Sequence, residues 1–223
     1  MMGKTVAIQK LGQTLRLSPA RCIFWEEEQL LLLSDLHIGK VAHFRKSGIA
    51  IPNQLFQEDI NRLSGLVNGF KPRTILVTGD FFHSLANVEH QFLGEWRASL
   101  NDTKILLVRG NHEVLPDTAY VDLGIEVVGK EYHIPPFSFI HEKPPLSNTE
   151  GYWFTGHIHP GIRFEGKGRQ SLVLPCFHFA ANHCVLPAFS RFTGKHLIEP
   201  GEGDQVYAIA DTGVDNMIIP MDT

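Results

Sequence analysis

Two rhythms of apolar and polar positions run along the chain. Short segments at 5–8, 14–17, 21–25 and 29–33 carry β-branched and apolar residues between polar breaks, and read as strands. The acidic triplet Glu26–Glu28 reads as a solvated turn between the last two. The period changes in PNQLFQEDINRLSGLVNGF, where Leu55, Phe56, Ile60, Leu63, Leu66, Val67 and Phe70 share one face of a helix entered through Pro52. A second helix is expected from Val88 to Leu100, with Phe92, Leu93 and Trp96 inward. Between these helices lie continuous apolar runs, LLLLS, TILVT and KILLV, which predict buried parallel strands. Beyond about residue 125 the helical rhythm gives way to IEVV, FSFI, YWFT, SLVL, HCVL, VYAIA and MIIP. A β-α-β first half and a mostly β second half, with no linker between them, predict an α+β chain of two packed mixed sheets with helices outside. The expectation is a four-layer αββα sandwich forming a single domain over residues 1–223.

Composition narrows the class. With 43% hydrophobic and 20% charged residues over 223 positions, a disordered chain, a coiled coil and a fibre are excluded. The net charge of −4 does not advertise nucleic-acid binding, so such a partner would have to be met by a local basic surface or by bound cations. No window approaches the roughly 18–20 apolar residues that cross a bilayer, and the start lacks a secretory pattern. Three cysteines without a CxxC spacing indicate no disulfide framework, and a cytoplasmic location is expected. Histidine, at twelve, is enriched and clustered.

The clusters follow the apolar runs. LLLLS ends in Asp35 and His37, TILVT in Asp80, KILLV in Asn111 and His112, FSFI in His141, and YWFT in His157 and His159. Ligands in open α/β sheets bind beyond the carboxyl ends of the strands, where segments distant in sequence meet. The i,i+2 pairs Asp35/His37 and His157/His159 can point to one side. Gly79, Gly110 and Gly156 stand immediately before these polar groups and allow close backbone approach. Leaving His112 aside, the donors are two carboxylates, one amide oxygen and four imidazoles, too many for one ion and suited to two that share a carboxylate. Oxygen and imidazole donors without thiolate suit two divalent metal ions, with manganese favoured and iron, zinc or magnesium as alternatives. A pair of ions about 3.5–4 Å apart is the usual clamp for phosphate-ester hydrolysis.

DLH, GD, GNHE, a lone histidine and GHIH, in that order, resemble the calcineurin-like metallophosphoesterase superfamily. The segments DLHIGKVAHFRKSGIAIP, GDFFHS and VLPAFSRFTGK further resemble the bacterial ligase-associated DNA-damage-response endonuclease family (PdeM), related to SbcD-type nucleases. The resemblance implies the metallo-dependent phosphatase fold. It implies that Asp35, His37, Asp80 and His159 hold a first ion, and that Asp80 bridges to a second completed by Asn111, His141 and His157. His112 would stand beside the scissile phosphate as the catalytic residue. It also implies DNA as substrate, and a DNA ligase and a helicase as partners. Many superfamily members carry an aspartate or asparagine shortly after GD, where this chain has His83.

Other residues carry less. Glu113 reads as a supporting carboxylate or a helix start rather than a ligand. Lys40, Arg45, Lys46 and Arg191 are candidates to meet substrate phosphates, and Phe44, Phe81 and Phe82 to stack on a base. His43, His90, His133, His178, His183 and His196 have no matching motif and read as surface or packing residues, and Cys176 and Cys184 as buried. Three functions compete: a DNA phosphodiesterase or nuclease, a phosphodiesterase of a small nucleotide or other diester, and a non-catalytic protein-binding module of the same fold.

Overall fold

The computed structural model describes residues 3–40, 48, 54–83, 87–100, 102–111, 113, 115–142, 151–166, 168, 170–211 and 216–221. The first sheet takes its strands in sequence order: β1 (Val6–Lys10), β2 (Gln13–Ser18), β3 (Cys22–Trp25), β4 (Leu30–Ser34), β5 (Thr74–Thr78), β6 (Lys104–Val108) and β7 (Ile125–Gly129). The strands β1 to β4 run antiparallel and β4 to β7 parallel. Crossovers between the parallel strands carry α1 (Gln54–Phe70), α2 (Asn87–Ser99) and the short α3 (Asp117–Asp122). The turn expected at Glu26–Glu28 joins β3 to β4.

The second sheet holds β8 (Glu131–Ile134), β9 (Phe137–Ile140), β10 (Tyr152–Thr155), β11 (Pro160–Glu165), β12 (Ser171–Phe179), β13 (His183–Val185), β14 (His196–Leu197), β15 (Gln205–Asp211) and β16 (Asn216–Met221). Its order is β14-β11-β12-β13-β10-β9-β8, with β15 added on β12 and β16 on β15. The strand β10 pairs parallel with both β9 and β13, so the sheet is mixed like the first. The α+β class of two mixed sheets is as expected. The three described helices all pack on the first sheet, and among the described residues no helix covers the outer face of the second.

Alternation within the apolar runs explains why they are continuous. Leu31 and Leu33 of β4, Ile75 and Val77 of β5, and Ile105 and Leu107 of β6 face the helices and join Ile60, Leu63, Leu66, Leu93, Trp96 and Tyr120 in one core. The intervening Leu30, Leu32, Leu76, Leu106 and Val108 face the other way. There they meet Phe137, Phe139, Phe154, Phe177 and Phe179 in a second core between the sheets. A strand buried on both faces has no polar position to spare. Truncating Leu32 to alanine in such a core costs about 2–5 kcal/mol. On α2, Leu93 and Trp96 are buried as expected, but Phe92 is 44% exposed. Position 92 lies about 100° around the helix from position 93, and the face that reaches the sheet runs through Leu93, Trp96 and Leu100.

Candidate metal centre

The candidate donors leave the carboxyl ends of five strands. Asp35 and His37 follow β4, Asp80 follows β5, Asn111 follows β6, His141 follows β9, and His157 and His159 follow β10. Parallel pairing aligns the ends of β4, β5 and β6, and separately those of β9 and β10. Backbone bonds then dock one set on the other. Phe189 N–H donates to the Ser34 carbonyl at 2.8 Å across the two sets, while the bond from Gly156 N–H to the His141 carbonyl at 3.0 Å ties the ends of β10 and β9 together. His157 N–H donates to Asp35 Oδ2 at 3.1 Å. Beyond the strand ends, the loops after β4 and β5 stay zipped together, with His37 N–H on the Asp80 carbonyl at 2.9 Å and His83 N–H on the Ile38 carbonyl at 2.7 Å.

This backbone is strained where the donors sit. Among the described residues nine non-glycine positions have left-handed φ, and five of them are Asp35 (54°), His37 (50°), Asp80 (46°), His157 (68°) and His159 (54°). Each such position costs about 1–3 kcal/mol and persists only where its surroundings over-determine it, typically at a functional site. Gly79, at φ 78°, has no room for a side chain: a Cβ there would stand 2.1 Å from His141 Nδ1. At Gly110 a Cβ would lie 2.3 Å from Asp80 Oδ1, and at Gly156 2.7 Å from Asp35 Oδ2. The glycines before GD, GNH and GHIH let the backbone press against the candidate donors themselves.

Two donor groups result. Asp35, His37 and His159 form one; Asp35, Asp80 and His141 form the other, and within each the ligand atoms lie within 4.8 Å of one another. His37 Nε2 and His159 Nε2 face each other at 3.2 Å. Around Asp35 Oδ1, His159 Nε2 stands at 3.3 Å and His37 Nε2 at 3.9 Å, yet this buried oxygen accepts no hydrogen bond. In the second group His141 Nδ1 donates to the Thr78 carbonyl at 3.0 Å, which leaves Nε2 facing Asn111 Oδ1 at 3.2 Å and Asp80 Oδ1 at 3.3 Å. A nitrogen lone pair between two oxygens needs a proton or a cation between them. Burial opposes protonation of His141, but its hydrogen bond to Asp80 and the charges of Asp35 and Asp80 outweigh it and push the imidazole up to about 9. Burial pushes His37 down to about 3, so this ring is a neutral donor. Burial also opposes the charge of Asp35, but His159, His141 and Ser34 hold its carboxyl below the usual range. The donor set therefore fits divalent cations: buried carboxylates, the neutral imidazole of His37, a His141 nitrogen aimed at two oxygens, and one orphaned oxygen.

The groups share Asp35, whereas the resemblance implies Asp80 as the common carboxylate; Asp80 stands with His141 and Asn111. His157 stacks edge-on against His141, with ring centroids 5.1 Å apart. Each of the seven expected donors is thus at the site. His112, Arg45, Lys46 and Phe44 lie outside the described residues.

Supporting groups surround the donors. Glu113 Oε1 accepts the Phe81 N–H at 2.8 Å and its other oxygen accepts the Tyr120 hydroxyl, so this carboxylate fixes the turn that carries Asp80. Burial raises its pKa, and the Asp80 charge adds to this. Ser34, whose hydroxyl donates to Asp35 Oδ2, and Tyr120 were not legible as site residues, because a serine closing an apolar run and an isolated tyrosine carry no motif of their own. The His83 ring meets His37 edge-on at 5.8 Å. Lys40 is half-buried; burial lowers its pKa and the charges of Asp35 and Asp80 oppose that. Phe81 and Phe82, candidates for base stacking, are 1% and 0% exposed and pack on each other and Tyr120, so they belong to the core.

A fold of two mixed sheets with carboxylates and imidazoles gathered at their carboxyl ends defines a metal-dependent phosphoesterase. The calcineurin-like phosphoesterase family profile matches residues 29–200, and the chain belongs to that family. No curated protein matches the chain. Among solved structures, the Pseudomonas putida nuclease MPE is similar at a TM-score of 0.81 and 28% identity, over 98% of this chain and 100% of that one. A protein of unknown function from Aquifex aeolicus, AQ665, matches at a TM-score of 0.41 and 16% identity, over 63% of this chain and 82% of that one.

Proposed function

We propose that the chain is a dinuclear phosphodiesterase whose substrate is nucleic acid, with DNA favoured. The observation that carries this reading is the meeting of two carboxylates, an amide and four imidazoles, from five strand ends, on strained backbone. Asp35, His37, Asp80 and His159 would hold one ion, and Asp80, Asn111, His141 and His157 the other. Two bound cations, manganese by preference, supply polarisation of the phosphoryl group and acidification of water. The chain's own groups orient these donors: the Thr78 carbonyl sets the tautomer of His141, and Ser34 and the His157 N–H hold Asp35. His112, directly after Asn111, is the group that would protonate the departing oxygen or stabilise charge on the phosphate.

Nucleic acid as substrate is supported by the likeness to a nuclease along the full chain. A role in DNA repair, with a ligase and a helicase as partners and a cytoplasmic location, rests on the resemblance to the ligase-associated family. Among the described residues no helix is long and apolar enough to cross a membrane. Residues 1–223 form one domain in this reading, since the strands before residue 29 complete the first sheet and those after residue 200 extend the second. The test is hydrolysis of bis-p-nitrophenyl phosphate and of DNA with manganese, beside Asp80→Ala and His112→Ala. Equal rates for the variants and the parent chain overturn the proposal, and turnover of a cyclic nucleotide without DNA cleavage replaces nucleic acid with a small diester.

A further inference from the structure

Three depressions with shared walls lead away from the metal centre. The smallest, of about 10 Å³, is lined by His159 together with Pro160, Pro175, Arg21, Arg191 and Lys195. Arg21, Arg191 and Lys195 also line the next cavity, of about 260 Å³, where Arg62 joins them. Arg62, Arg191 and Asn216 continue the wall into a third, of about 430 Å³, bounded by Glu58 and Asn61 of α1.

Four cationic side chains line the first two sections, and among the described residues no carboxylate does. In a chain of net charge −4 this is a local reversal of sign. Two of the four are fixed in place. Arg21 donates to the carbonyls of Ala188 at 3.3 Å and Ser190 at 2.9 Å. Arg62 lies 4.2 Å above the Phe189 ring, donates to the Phe189 carbonyl and pairs with Asp59 at 2.9 Å, while its buried Nε has no hydrogen-bond partner. Asp59 feels the charges of both Arg62 and Arg21, and Arg191 acts on Arg62 as a like charge. Among the described residues, Arg21, Arg62, Arg191 and Lys195 stand along these walls with two carboxylates, Asp59 paired with Arg62 and Glu58 in the third section, so cationic side chains outnumber acidic ones, a balance that favours a bound anion. Arg191 and Lys195 present their side chains to solvent at the mouth.

We propose that this groove binds the sugar–phosphate backbone of a nucleic-acid strand whose scissile diester lies at the metal centre. The inference rests on the phosphodiesterase reading and adds where the rest of the strand runs. A small diester reaches no further than the metal centre, whereas a strand continues past His159. Phosphate contacts of this kind position a strand without reading its sequence. That agrees with the burial of Phe81 and Phe82, which removes them as base-stacking platforms.

The experiment measures anisotropy of a labelled single-stranded oligonucleotide titrated with the metal-free protein over a salt series. Arg191→Gln/Lys195→Gln, Lys195→Gln alone and Lys104→Gln are compared. Lys104 is exposed at the amino end of β6, the opposite end from Asn111. Each lost phosphate contact lowers the slope of log K against log salt by about 0.7 for single strands, and the double variant binds about tenfold more weakly at low salt. Lys104→Gln binds like the parent chain. Lys195 is exposed, so its single variant keeps the test valid if the double variant does not fold. Failure of the parent chain to bind the oligonucleotide overturns the groove, as does equal weakening by Lys104→Gln. Hydrolysis of bis-p-nitrophenyl phosphate is scored separately: turnover without oligonucleotide binding defeats the groove alone, and binding through the groove without turnover defeats only the phosphodiesterase reading.

Discussion

Two histidine–aspartate pairs in this molecule have the same chemistry and different surroundings. His178 Nε2 and Asp204 Oδ2 meet at 2.6 Å, and the same oxygen accepts the Gly201 N–H at 2.9 Å, which clips the turn before β15 to β12. His141 and Asp80 meet at 3.3 Å. Around the first pair the described residues bring no third histidine, cysteine or carboxylate ligand atom within 4.8 Å, and neither residue has left-handed φ. Around the second stand Asp35 and Asn111, with Asp80 itself on left-handed backbone and two glycines pressed against the donors. An ion pair alone is a fastener. Convergence of donors on a backbone that is costly to hold is what marks a centre built for cations.

Removing a donor tests this contrast most severely. Asp35→Ala is expected to abolish metal retention and lower kcat/KM on bis-p-nitrophenyl phosphate by about a thousandfold or more, the several kcal/mol that a bound cation supplies. Metal content after gel filtration and steady-state rates check it. Next comes the backbone beneath the donors. Gly79→Ala forces a Cβ into the His141 ring, whereas Gly12, at a similar φ of 75°, has nothing within 4 Å. We expect Gly79→Ala to weaken metal binding by about 10–100-fold, as loss of an orienting group does. Gly12→Ala should cost only the left-handed strain of about 1–2 kcal/mol. Calorimetric metal titration and thermal unfolding separate the two.

Acid and base sharpen the comparison further. His141, raised to about 9, stabilises the metal-free fold fully below its unfolded value of about 6.5, and that contribution is lost as pH climbs to about 9. His37, lowered to about 3, acts in the opposite direction: below about 6.5 the unfolded chain takes up a proton that the fold refuses, so stability falls as pH drops toward 3. The midpoint temperature of the metal-free protein should fall on both sides of about pH 6.5. Saturating metal, which takes the proton's place on His141, should remove the alkaline slope. The smallest effect is expected at the clip. His178→Asn should cost about 1 kcal/mol of stability, as for an ordinary hydrogen bond, and leave metal content unchanged; loss of metal would make the two pairs alike.

Much of this was legible before any coordinates. The runs LLLLS, TILVT and KILLV became β4, β5 and β6, because a strand covered on both faces leaves a continuous apolar run. Both long helices formed at nearly the expected bounds. Their inward face was less legible, as Phe92 shows, since hydrophobicity does not say which side of a helix the sheet will meet. The seven candidate donors that gather at the site could be singled out in the sequence because each follows a strand in a short polar cluster after an apolar run. Tyr120, Ser34, Arg21, Arg62 and Lys195 could not, whereas Arg191 was singled out among the basic residues. Ser34 and Tyr120 bond close by in the chain but carry no motif of their own, whereas Arg21 and Arg62 meet carbonyls at positions 188 to 190, remote along the chain.

Local sequence determined the strands, the helices and the kind of chemistry carried at each strand end, because side-chain period and residue type are properties of neighbours along the chain. The tertiary structure decided which ends meet, which carboxylate lies in both donor groups, and that Phe81 and Phe82 serve the core rather than a substrate. Those outcomes depend on distances between segments up to 122 positions apart, such as His37 and His159, which only the docking of one sheet on the other sets.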